Sequence, residues 1–277
     1  MNLLDTPRRG RTAAATRRGL ALRGRVLRPN GGRPRPVPEL VLIAVLFGLY
    51  KLARLAADGR VAEAFGNAHR VWDLERTLDL PSEVDVQHGL LQSHALIHVA
   101  NSYYAYVHFP ATALFLLWVY LRRPGHYRWV RWVLVALTAA GLVLHLLLPL
   151  APPRMLGVTG LVDTARLYGP SVYGSPQTDT ISNQYAAMPS LHIGWALIIA
   201  IGIIVCARTR WRWLALIHPL LTIAVVVGTA NHYWLDGIAV GAMLAVILLV
   251  IRPPSRAPLA ASDPVAVPEP VAAPERS

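Results

Sequence analysis

Six apolar runs constrain this chain more than any other feature of its sequence. They cover residues 38–55, 94–121, 129–150, 188–206, 211–232 and 233–251. Each is close to the about 20 residues that a helix needs to cross the hydrocarbon core of a bilayer. In that medium no water satisfies backbone N–H and C=O groups, so runs of this kind close their own hydrogen bonds as helices. The composition agrees: 54% of residues are hydrophobic, 15% are charged, and the mean hydropathy is +0.41. An ordinary soluble domain is excluded. The expected fold class is all-α, a polytopic membrane helical bundle of six transmembrane helices. Pro110 is expected to kink the second span and Pro219 to bend the fifth. Gly237 and Gly241 in the sixth are spaced for close helix packing.

Arginines orient the bundle. The first 36 residues are Arg-, Gly- and Pro-rich, Arg122, Arg123, Arg128 and Arg131 crowd one turn, and Arg208, Arg210 and Arg212 fill another. With the C-terminal flank from Arg252, these segments alternate onto one side, which the positive-inside rule makes cytoplasmic. The formal charge of +12 therefore reads as basic flanks beside anionic lipid, with no nucleic acid as partner. Three regions follow: a disordered cytoplasmic tail over 1–36, a six-helix membrane domain over 37–252, and a second disordered cytoplasmic tail over 253–277. The expected location is the plasma membrane, multi-pass, with both termini inside. Residues 57–93 and 151–187 then face outward. The first of these has an amphipathic pattern through Ala62, Ala64, Phe65, Ala68, Val71, Trp72 and Leu74, followed by a second short helix at 83–91. It reads either as an extracytoplasmic helical hairpin lying on the membrane or as a lid over a site.

Ionisable groups inside apolar runs are costly and tend to be retained for function. The stretch TANHYWLD places Asp236 four residues after His232. A carboxylate beside a histidine fixes its tautomer and raises its basicity, as a nucleophile or general base requires. His192 stands at the outer start of the fourth span, and Arg154 opens the outer loop after 150. Two histidines, a carboxylate and an arginine at one membrane face suit phosphoryl transfer: one His attacks phosphorus, the other protonates the leaving oxygen, and Arg holds the anion. The helix start at Ser190 and Leu191 is expected to offer free backbone N–H groups. Asn101, Tyr104 and His108 form one polar stripe on the second span, read either as interhelical hydrogen bonding or as the binding site of a polyol acceptor. His145 reads as a packing residue. The lone cysteine, Cys206, rules out an intrachain disulfide framework and a Cys-rich metal site. No metal and no cofactor are expected.

The motifs MPSLH and HYWLD resemble those of the type 2 phosphatidic acid phosphatase superfamily, and most closely its inositolphosphotransferase branch, which includes fungal inositol phosphorylceramide synthase. The resemblance covers roughly residues 40–250. It implies His232 as the nucleophile that becomes phosphohistidine, Asp236 as its orienting carboxylate, and His192 as acid for the leaving group and base for the acceptor. It implies Ser190 and Arg154 as phosphate ligands. The chain departs from the general phosphatase pattern: Leu147 stands at the Lys position, Met155 follows Arg154 where Pro is usual, and Val225 and Val226 replace a Ser-Arg pair. Leu191, between Ser190 and His192, matches the inositolphosphotransferase branch. Arg166 is either a second phosphate ligand or a solvated charge.

The implied function is an integral membrane phosphatase or phosphotransferase acting on lipid-linked phosphate at the extracytoplasmic face. Its substrate would be a phospholipid or an isoprenoid phosphate, and its acceptor water, inositol or another polyol. The alternatives are a transporter or scaffold with a polar surface site, and a serine hydrolase using Ser190. The polar groups lie at one face rather than the midplane, no repeat is present, and no Gly-x-Ser turn precedes a helix.

Overall fold

A computed structural model describes residues 34–57, 59–171 and 184–254. Most of both expected tails, and part of the 151–187 loop, lie outside the described residues. Among the described residues the chain is all-helical, with no strand and one isolated bridge, Leu150 to Ala186. Ten α-helices follow in order: α1 Pro36–Ala57, α2 Val61–Thr77, α3 Glu83–Leu91, α4 His94–Tyr106, α5 His108–Arg122, α6 Pro124–Leu147, α7 Thr164–Tyr168, α8 Leu191–Cys206, α9 Ile217–Gly228 and α10 Trp234–Val250. Short 3-10 turns occupy Pro153–Met155, Gly157–Thr159 and Arg210–Leu216.

Among the described residues two helices are long and apolar enough to cross a membrane, α6 and the continuous helix Arg210–Gly228; a third counts if α4 and α5 form one span bent by 49°. Pro36–Gly48, α8 and α10 are apolar but shorter. The expected six full-length spans are therefore reduced on length alone, for an identifiable reason. Residues 188–190 and 229–233 do not continue α8, α9 or α10; they form the turns and caps between them. The second span breaks at Val107, one turn before Pro110. Pro110 has no N–H to give the Tyr106 carbonyl, so the ladder opens on its N-terminal side. Pro219 is the third residue of α9, just after the 3-10 turn Arg210–Leu216 passes into the α-helix.

α8 is the central post, packed against α5, α6, α9 and α10. Glycines allow its close contacts. A Cβ at Gly194 would lie 2.6 Å from Val240 Cγ2 of α10 and 2.8 Å from Leu137 Cδ2 of α6. One at Gly202 would lie 2.3 Å from the Phe115 ring of α5. The packing expected of Gly237 and Gly241 is only half present: a Cβ at Gly237 would lie 3.0 Å from Ile193 Cδ1, whereas Gly241 faces open space. Around α8 the core gathers Val119, Val133, Leu137, Ile198, Val226 and Val240.

A second, smaller core joins α2 to the loops at one end of the bundle. Ala64, Ala68 and Val71 of α2 pack with Leu150, Ala151, Leu156, Ala187 and Tyr233. Of the amphipathic face read from the sequence, Ala64, Ala68 and Val71 are buried against protein and Phe65 and Trp72 pack at the edge of that core, whereas Ala62 and Leu74 are exposed.

Candidate active site

The turn between α9 and α10 is wound tightly by α9's last carbonyls. Val226 O accepts the N–H groups of both Asn231 (2.9 Å) and His232 (3.1 Å), and Val227 O accepts that of Ala230 (2.9 Å). Ala230 adopts φ +54° to permit this. A left-handed residue after a helix end is common, but glycine usually takes it; alanine costs roughly 1 kcal/mol there. His232 follows in non-helical backbone, and Tyr233 caps α10. His232 and Asp236 therefore do not meet as successive turns of one helix. Asp236 is the third residue of α10, and its Oδ2 reaches back to accept the Tyr233 N–H at 2.9 Å and to meet His232 Nδ1 at 3.1 Å.

His232 Nδ1 also lies 2.9 Å from the carbonyl oxygen of Ala187. A carbonyl oxygen only accepts, so Nδ1 carries the proton and donates to both Ala187 and Asp236. Nε2 is then the nitrogen with the free lone pair, and it makes no hydrogen bond among the described residues. Asp236 is fully buried, and its Oδ1 has no partner among the described residues.

The His192 ring lies 5.7 Å from the His232 ring, centroid to centroid, at 57°. His192 is stacked on Tyr104 at 4.6 Å and tilted against His108 at 4.4 Å. His108 in turn stacks on Trp195 at 5.1 Å. Two members of the α4–α5 polar stripe thus reach the site. The third does not: Asn101 Nδ2 donates to the carbonyls of Thr164 and Gly169, and its Oδ1 accepts the Thr164 hydroxyl. All of Asn101's polar capacity ties α4 to the α7 loop.

Ser190 serves as the N-cap of α8. Its Oγ accepts the Ile193 N–H at 3.4 Å, and its side chain is buried. Its own N–H, expected to be free, donates to the Asp236 carbonyl. The N–H groups of Leu191 and His192 are the ones without an acceptor among the described residues. His145 bonds the Pro189 carbonyl at 3.1 Å, tying α6 to the turn before α8.

Arg154 adjoins the His232 turn by backbone and side chain. Its N–H donates to Ala230 O, its Nη1 to Asn231 Oδ1 at 2.5 Å, and its Nε lies 3.4 Å from Asp163 Oδ2. Asn231 and Asp163 were missed from the sequence. Asn231 stands beside the motif histidine and offers no periodicity to flag it, and Asp163 reads as a loop charge. The Ala187 carbonyl, which decides the tautomer, carries no sequence signal at all. Among the described residues no three His, Cys, Asp or Glu side chains are grouped as a metal site.

No curated protein and no solved structure matched this chain. A family model described as the PAP2 superfamily matches residues 69–251, a span that runs from α2 to the end of α10 and contains both histidines, Asp236 and Arg154. The chain belongs to the PAP2 superfamily.

Proposed function

We propose that the protein is an integral membrane phosphatase or phosphotransferase that acts on lipid-linked phosphate through a phosphohistidine on His232. The observation that carries this reading is the proton on His232 Nδ1, committed to Ala187 and Asp236, which leaves Nε2 as a lone-pair nitrogen in a ring 5.7 Å from that of His192. Nε2 attacks phosphorus, and the phosphorus–oxygen bond to the lipid alcohol breaks. The leaving oxygen takes a proton from His192. Asp236 offsets the positive charge that develops on the His232 ring. His192, now neutral, removes a proton from water or from an alcohol, whose oxygen displaces His232 and completes hydrolysis or transfer. Arg154, oriented by Asn231 and Asp163, holds phosphate oxygens with the N–H groups at the start of α8. Ser190 acts by capping that helix.

The inositolphosphotransferase branch is favoured by Leu191 and by the His-Tyr-x-x-Asp form at residues 232–236. The acceptor would sit beside Tyr104 and His108, against His192; Asn101 is withdrawn from that role by its bonds to the α7 loop. Six crossings over residues 37–252, with cytoplasmic termini and an outward-facing site in the plasma membrane, are supported by the arginine pattern. The shorter α8 and α10 would cross with the help of their flanking turns.

The test uses purified full-length protein with phospholipid monoesters and isoprenoid phosphates, with and without inositol. We expect release of inorganic phosphate or, where inositol is the acceptor, formation of an inositol phosphomonoester. His232→Ala should abolish turnover while leaving the fold intact. Acid-labile label should be trapped on the wild-type chain and not on the variant. Retained turnover in His232→Ala would overturn the assignment.

A further inference from the structure

α2 carries an acidic residue that the proposed reaction does not use. Glu75 closes the buried stripe Ala64, Ala68, Val71 of that helix, and its side chain has no exposure. Its Oε1 accepts the backbone N–H of Leu235 at 2.8 Å. Leu235 is the second residue of α10, so this N–H has no acceptor within its own helix. In the same turn Asp236 accepts from Tyr233. Two carboxyl groups, from two different helices, thus hold the start of α10, and one of them is the partner of His232.

The other oxygen of Glu75 faces Glu83 at the start of α3, which is also fully buried. Glu75 Oε2 and Glu83 Oε1 meet no conventional donor among the described residues. One cation stands beside the pair: Arg76 Nη2 lies 2.7 Å from Glu83 Oε2 and 3.9 Å from Glu75 Oε2. A single guanidinium offsets a single carboxylate. Two buried carboxyl groups in contact do not both ionise under those conditions, so the second retains a proton. A proton shared between the two oxygens would supply the donor that both lack. Burial first, and the hydrogen bond with Glu83 second, push Glu75 up to about 9. The remaining ionisable groups that face it are Asp236 and Tyr233 of α10.

We propose that Glu75 is a positioning residue: as a neutral carboxyl bonded to Glu83 it fixes the first turn of α10, and with it the Asp236–His232 pair, and its ionisation sets an alkaline limit on activity. The activity part rests on His232 as the nucleophile. Ionised, Glu75 has no proton to share, and two carboxylates repel across the junction of α2 and α3. Burial and the Glu83 contact hold the Glu75 carboxyl well above its open-chain value of 4.5, at about 9. Its contribution to stability is complete below 4.5 and is lost as pH rises through about 9.

Glu75→Gln and Glu75→Ala separate this role from simple packing. Glutamine keeps an acceptor for Leu235 and a donor for Glu83, and it does not titrate. The full-length chain in lipid nanodiscs would be assayed on a lipid phosphomonoester from about pH 6 to about pH 10. We expect E75Q to keep kcat within about threefold of wild type at neutral pH and to move the alkaline limb upward by about one pH unit. E75A should lose at least about tenfold in kcat, with little change in KM. Independently of turnover, the infrared difference between wild type and E75Q at neutral pH should show the C=O stretch of a protonated carboxylic acid. Absence of that band, or an E75Q as impaired as E75A with an unmoved alkaline limb, overturns the proposal. A wild-type chain that shows the band but, with and without inositol, neither hydrolyses the phosphomonoester nor transfers its phosphoryl group overturns the phosphohistidine reading instead. Thermal unfolding against pH then decides the positioning role: alkaline destabilisation present in wild type and absent in E75Q supports it, and identical profiles refute it.

Discussion

For a single residue, the proposed chemistry turns on which nitrogen of His232 holds the proton. Two acceptors converge on Nδ1, the Ala187 carbonyl at 2.9 Å and Asp236 Oδ2 at 3.1 Å. The carbonyl alone suffices to fix the tautomer, so the carboxylate's particular contribution is charge. Asp236→Asn isolates it. The amide oxygen can accept from both Tyr233 and His232, as Oδ2 does, and the amide nitrogen takes the place of Oδ1, which has no partner now. Geometry persists while the counter-charge for the His232 imidazole disappears. We expect kcat to fall by about 10³-fold or more, with the unfolding temperature unchanged; steady-state kinetics and a thermal melt check both. A loss below about tenfold would mean that the carboxylate only orients the ring. The sequence displayed this pair plainly, because His and Asp four apart in an apolar setting are hard to explain otherwise. It did not display Ala187, whose role is played by a backbone atom that every residue carries. Nor did it display the diversion of Ser190's N–H, which depends on where the Asp236 carbonyl comes to rest.

Among the helices, α8 sets the spacing of the site, since His192 rides on its first turn while α6 and α10 close on its flanks. Gly194 is where α6 and α10 both close in, with Val240 Cγ2 and Leu137 Cδ2 where a Cβ would stand. Gly194→Ala should therefore destabilise the protein by about 1–3 kcal/mol through overpacking. It should also slow turnover, because His192 lies only two residues away on the same helix. Gly241→Ala, which meets nothing within 4 Å, should stay within about 0.5 kcal/mol of wild type. Denaturation of both variants in one detergent reads the contrast, and equal losses would refute the packing account. Hydropathy alone could not rank these two glycines: both sit at small-residue positions of apolar helices. The same limit explains the spans. Apolar runs reveal where helices pass but not where they end: Met188 to Ser190 and Thr229 to Tyr233, counted into the spans from the sequence, serve as turns and caps. The amphipathic period of α2 was legible, yet its partner was not. A face of Ala64, Ala68 and Val71 suits a membrane surface or a protein surface equally, and only the fold shows it covering Tyr233 and Ala187.

Across the whole molecule, the arrangement has a direction. His192, His232, Asp236 and Arg154 gather at the end of the bundle where the 151–160 segment lies, and the Arg208–Arg212 turn follows the opposite end of α8. If arginine-rich turns face the cytoplasm, the site opens to the other side and receives lipid from the outer leaflet. The chain supplies its own means of checking this, since its one cysteine, Cys206, is buried. With Cys206→Ser as background, Val158→Cys marks the site end, where Val158 is 71% exposed, and Arg208→Cys marks the exposed turn at the other. A membrane-impermeant maleimide applied to intact cells should label the cysteine at 158 and leave that at 208 unlabelled until the membrane is opened. The reverse pattern would turn the bundle over. His232 would then meet cytoplasmic lipid phosphate, and the arginines would have to be explained as something other than a topological signal.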